Sequence, residues 1–118
     1  MNLNELLKNL LSVTGLPVEQ DEYTELGDKY IIFVYEDEHP ADHADNAVTA
    51  DTAYIQVQLV TPKEFDYFDL KHEIRDLLEG ADFSVTSIRS FLGDAANGTE
   101  KTRQTIFHTE YTQGRRNK

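Results

Sequence analysis

The residues best suited to chemistry in this sequence stand together between positions 37 and 45: Asp37, Glu38, His39, Asp42, His43 and Asp45. Imidazole nitrogens and carboxylate oxygens are ordinary ligands of zinc and manganese. His39 and His43 are four positions apart, a spacing that on a helix brings both rings to one face, so His39, His43 and Asp42 are the metal-ligand candidates. Pro40 lies between the histidines, and the surrounding Asp, Ala and Asn residues do not favour a helix there. A zincin helix also needs Glu directly after its first His, where this chain has proline. A calcium loop would need a DxDxDG run closed by Glu, which is absent as well. The reading assigns no metal and no cofactor, and treats residues 37–51 as a long, solvated acidic loop.

Other chemistries have less to work with. His72 and His108 stand apart from this cluster and are read as ordinary satisfied side chains. There is no GxSxG elbow, and the glycine-bearing run Gly93 to Gly98 (GDAANG) lacks the lysine and hydroxyl residue of a phosphate loop. With no cysteine in 118 residues, thiolate nucleophiles, thiolate metal sites and disulfides are excluded. Carboxylate pairs are abundant, but in a chain with 22 acids abundance identifies no particular pair. The expectation is a protein that is not an enzyme.

Charge is more informative once it is mapped. The formal net charge is −11, yet residues 1–18 sum to zero, while residues 19–51 hold 11 acids and a single base, Lys29. Residues 52–118 hold 10 acids against 9 bases, close to neutrality. The excess is thus a property of one stretch. It argues against general electrostatic binding of nucleic acid, which depends on cations that displace counterions from phosphates. The opening segment MNLNELLKNLL has neither the basic region nor the cleavage site of a secretory signal, and no apolar run is long enough to span a bilayer; a cytosolic location is expected.

The elements that must carry these residues follow from periodicity. Leu3, Leu6, Leu7, Leu10 and Leu11 make the apolar stripe of a short helix, with Asn2 and Glu5 as a capping pair and Gly15 at its C-terminal end. Lys29 to Glu36 (KYIIFVYE) is β-branched and aromatic on both faces, as a central strand is. Ala53 to Val60 alternates, with Ile55, Val57 and Leu59 on one face and Gln56 and Gln58 on the other. Thr61, Pro62 and Glu64 read as cap, first-turn proline and capping-box acid of a second helix that closes at Gly80. Asp82 to Leu92 and Arg103 to Thr112 form a terminal hairpin, with a bulge or change of face near Ser87. The predicted fold is α+β in the order α-β-β-α-β-β: a four-stranded mixed or antiparallel sheet with two helices packed on it. Residues 1–113 are one domain, and residues 114–118 (GRRNK) a flexible basic tail.

The stretch Lys29 to Thr112 resembles the small tail-terminator proteins, also called tail completion or tail-to-head joining proteins, of long-tailed phages and prophages of Gram-positive bacteria. The likeness is carried by Tyr30, Phe33 and Tyr35 in the first strand and by the acidic stretch ending at Asp45 and Asn46. It continues through Tyr54, Gln56, Val57 and Leu59, the TPKEFD run from Thr61 to Asp66, and LLEGADFSV from Leu77 to Val85. The resemblance implies a non-enzymatic virion protein, assembled in the host cytoplasm and resident at the head-proximal end of the tail. There it would form a ring, typically hexameric, that stops the tail-tube protein from polymerising and docks to the head-tail connector. On that reading Asp37, Glu38, Asp42 and Asp45 face either the lumen, where passing DNA is repelled, or a docking surface. A head-closure or connector protein, another minor virion protein and a small metal-binding enzyme are the alternatives.

Overall fold

The computed structural model describes residues 3–23, 27–44, 47–94 and 101–114, with the side chains at 37–44, 47–51, 94, 113 and 114 left aside. Helix α1 (Leu3–Leu11) is followed by a single turn of 3-10 helix (Ser12–Thr14). Gly15 then takes φ 83°, and its N–H donates to the Ser12 carbonyl at 2.9 Å, the left-handed closure anticipated for this glycine. The proposed cap at Asn2 lies outside the described residues.

Five strands form one mixed sheet: β1 (Val18–Gln20), β2 (Tyr30–Ala44), β3 (Ala47–Pro62), β4 (Ser84–Asp94) and β5 (Lys101–Gly114), in the spatial order β1-β2-β3-β5-β4. The coarse α+β class therefore holds, and the count of four strands is corrected to five. The added strand β1 pairs in parallel with β2 over only three residues, Val18 to Gln20 against Ile31 to Phe33. Three residues show no period-2 pattern, which is why the segment reads as a connector in the sequence. It ends where Asp21 turns to φ 69° and donates its N–H to the Phe33 carbonyl at 2.9 Å.

A second correction is larger. In the stretch 37–51, expected to be a loop, β2 continues to Ala44 and β3 begins at Ala47: Asp37 pairs with Tyr54, His39 with Thr52, Asp42 with Ala50 and Ala44 with Ala47. Register shifts fall between Tyr35 and Asp37 and on both sides of Asp42. Such bulges admit Pro40 and residues of poor strand propensity into a ladder, and they break the alternation by which a sequence announces a strand. Only positions 45 and 46 separate the two strands, and they lie outside the described residues.

Helix α2 (Phe68–Gly80) starts later than Thr61 and Pro62 suggest. Thr61 is fully buried and pairs with Arg103, and Pro62 pairs with Thr102, so both close β3 instead of opening the helix. A turn follows, with Phe65 N–H donating to the Pro62 carbonyl at 3.1 Å. The carboxylate of Asp66 accepts the Phe68 N–H at 3.2 Å and so supplies the N-terminal acceptor assigned to Thr61. At the other end Gly80 is the last helical residue, and the positive φ falls on Asp82 at 71°.

Because β3 and β4 both run antiparallel to β5, they are parallel to each other, and α2 crosses over from one to the other with β5 between them. The anticipated irregularity near Ser87 is present: the β4–β5 register shifts between Val85 and Ser87, and the extra residue, Thr86, donates its hydroxyl hydrogen to the His108 carbonyl at 3.1 Å. Leu7 and Leu11 of α1 and Ile74 and Leu78 of α2 pack on one sheet face, against Ile31, Phe33, Ile55, Val57, Leu59 and Phe107. All ten are fully buried. Alternation places Ile32, Val34, Gln56, Gln58, Ile106 and His108 on the opposite face, where each remains partly exposed.

Candidate functional site

Two regions carry side chains or charges that the core does not use. The first is the arm made by the distal halves of β2 and β3. Asp37 and Glu38 occupy its first two rows, beyond the exposed Glu36, and Asp42 stands further out, level with Ala50; Asp45 lies outside the described residues. The strand conformation changes the spacing of the two histidines in this segment. Four residues span at most about 13 Å along a strand, against about 6 Å on a helix. His39 and His43 stand at separate rows of the ladder, level with Thr52 and Val48, and do not share a helix face. Among the described residues no group of three or more His, Asp or Glu side chains converges as a metal site.

The other two histidines separate as well. His72 is exposed on α2. His108 on β5 lies on the uncovered sheet face with its Nδ1 3.1 Å from Oε1 of Glu36 on β2, reaching across β3. Both side chains keep about a third of their surface in solvent, at 33% and 39%, so this contact between β2 and β5 is weak in energy. On the same face Gln58 donates to Gln104 at 2.6 Å, a pair set by the β3–β5 register. The face is thus amphipathic, with Ile32, Val34 and Ile106 interleaved among hydrogen-bonded polar residues.

The second region lies at the opposite end of the sheet, and sequence reasoning missed it. Tyr67 and Phe68 stack at 5.0 Å between ring centroids as the chain enters α2. Lys71 Nζ stands 5.0 Å from the Phe68 ring and 5.7 Å from the Tyr67 ring, and the Arg103 guanidinium carbon is 5.2 Å from Tyr67. Lys29 Nζ sits 4.4 Å above Phe65. Phe68 is 55% exposed, an unusual state for a large aromatic residue in a small domain. The signal was available in part: Lys71 follows Tyr67 and Phe68 at four and three positions, across the first turn of α2. Arg103 and Lys29 join only through the sheet register.

Tyr23 and Tyr30 form another aromatic pair, stacked at 4.3 Å. Burial, and secondarily the neighbouring Tyr23 phenol, holds the Tyr30 hydroxyl above its ordinary value of 10.0. Among the described residues no helix is long and apolar enough to cross a membrane.

No protein-family model and no curated protein matches the chain. Solved structures do match, in fifteen chains. One of them, a protein identified by a sequence label alone, is 16% identical, with 97% of this chain and 92% of that chain covered and a TM-score of 0.51. At that identity the likeness is one of fold, extending over nearly the whole of both chains.

Proposed function

We propose that this chain is a structural, non-enzymatic virion protein of the tail-terminator type, which assembles as a ring on the head-proximal end of a phage tail tube, ends tube polymerisation and joins the tail to the head connector. The observation that carries the reading is the division of labour within the sheet. A body of 55 × 24 × 24 Å has helices on one face only, leaving the other face, the outer strand β4 and a charged arm for contacts with other chains. Ring subunits need such surfaces more than they need a pocket, since each copy must meet two neighbours and two axial partners. The resemblance over Lys29 to Thr112 supplies the class of assembly.

The test is deletion of the gene from the phage or prophage that encodes it, followed by electron microscopy of the lysate. Loss of a terminator yields tubes of uncontrolled length without heads, restored by the gene supplied on a plasmid. Tails of normal length that fail to join heads would assign the chain to the connector instead. Normal infectious particles would overturn the virion reading altogether.

A further inference from the structure

We propose that Lys29, Lys71 and Arg103, set on the rings of Phe65, Tyr67 and Phe68, form a docking surface for the acidic β2–β3 arm of a second copy of this chain. The proposal deepens the ring reading by naming the contact between neighbouring subunits. It rests on that reading only for the choice of a second copy as occupant.

Three observations point to it. The cations are held by aromatic faces, and none of the three has a carboxylate within ion-pair distance among the described residues, although Asp28, Glu64, Asp66 and Asp69 are close to them in sequence. A cation over an aromatic face keeps one side open to an anion, whereas a cation already in an ion pair offers less. The patch also exposes an aromatic ring beside its cations: Phe68 is 55% exposed.

The third observation is position. The arm and the patch lie at opposite ends of the same strands: Asp42 is level with Ala50 on β3, and Arg103 with Thr61. Eleven residues of β3 separate those rows, roughly 37 Å at about 3.4 Å per residue. The opposite charges are therefore too far apart to meet within one molecule and are screened from each other at physiological salt. Between molecules the same layout is complementary head to tail. A heterologous contact of that kind closes a ring if the rotation per copy permits and otherwise propagates as a filament.

The absence of cysteine makes the test direct. A variant of the full chain with Ala41→Cys on the arm and His72→Cys one turn into α2 retains every charge named above. It would be treated with a bis-maleimide of about 10 Å reach, too short for the intramolecular span given by the strand rise. The expected result is a ladder of covalent oligomers on a denaturing gel, ending at the ring number, with a yield that falls at least tenfold between low and high salt. Adding Lys29→Glu and Lys71→Glu should abolish the ladder, and further adding Asp37→Lys and Glu38→Lys should restore it. Restoration separates lost complementarity from lost folding. No ladder at millimolar protein, or one indifferent to salt and to charge reversal, overturns the contact.

The failures are distinguishable. A missing ladder together with headless, overlong tubes in the deletion phage would discard the contact and leave the function. A charge-dependent ladder together with normal particles after deletion would do the reverse.

Discussion

The uncovered sheet face makes a sharp energetic prediction, because it can be probed by one chemical change made twice. Val57 on β3 and Val34 on β2 are nearly level in the sheet, since Val57 pairs with Phe33 and Val34 with Gln56, but they point to opposite faces. Val57 is fully buried beneath the helices, and Val34 is only half-buried. Val57→Ala removes about two methyl equivalents at roughly 0.8 kcal/mol each, or about 1.6 kcal/mol of transfer energy. A residual cavity on the order of 40 Å³ adds about 1 kcal/mol at about 24 cal/mol per Å³, for roughly 2.6 kcal/mol in all. Val34→Ala loses roughly half the transfer term, about 0.8 kcal/mol, and leaves no cavity because solvent already reaches the site. Both changes lose the same β-propensity, which drops out of the difference. The two variants should therefore differ by about 1.8 kcal/mol, near 1.2 M in urea midpoint for a slope of about 1.5 kcal/mol per M. Tyrosine fluorescence and far-ultraviolet circular dichroism would follow the transitions. Equal losses at the two positions would refute the assignment of one face to the helices and the other to assembly. If Val34→Ala keeps its stability but weakens oligomer formation, the open face is itself part of an interface.

Other outcomes follow from single residues. Gly15→Ala should cost about 1 kcal/mol in urea unfolding, from backbone strain at φ 83° alone, because an added Cβ there meets nothing within 4 Å. Gly80→Ala should instead stabilise by roughly 0.5 kcal/mol, since this glycine is helical with open space around it, so a loss of stability would restore the left-handed role suggested by sequence. Asn4→Ala removes an acceptor for the Tyr35 hydroxyl, a side-chain bond between α1 and β2, and should cost about 1 kcal/mol with amide-exchange protection falling first in α1. Tyr30→Phe should flatten alkaline unfolding. The folded phenol ionises above its unfolded value of about 10, so its contribution is fully present below that pH and lost as pH rises through the higher folded value. A slope above pH 10 unchanged by Tyr30→Phe would assign the loss to other groups.

The site was less legible than the core. Leu7, Leu11, Ile55, Val57, Leu59, Ile74 and Leu78 stand at helical or strand spacing and are buried in the structure as that spacing requires. The bulge near Ser87 showed itself as a break in alternation between Val85 and Ile88. The arm did not show itself, because Pro40, Asp42 and His43 form strand backbone only when the neighbouring strands supply ladder partners across three register shifts. The second helix was placed too early for a related reason: Thr61, Pro62 and Glu64 carry a sound local capping pattern, but burial of Thr61 in the sheet outweighs a cap worth about 1 kcal/mol.

By itself, then, the sequence determined what depends on near neighbours along the chain: the leucine face of α1, the alternating faces of β3, the left-handed turn at Gly15 and the concentration of acid between residues 19 and 51. Tertiary structure alone decided what depends on residues distant in the chain. It added β1 through its pairing with β2, converted an acidic stretch into a paired arm, and gathered Lys29, Phe65, Tyr67, Lys71 and Arg103 into one patch. The physical reason is that helix stripes and turns are set by contacts within a few residues, whereas strand pairing and cation–aromatic contacts draw their energy from groups far apart in the chain.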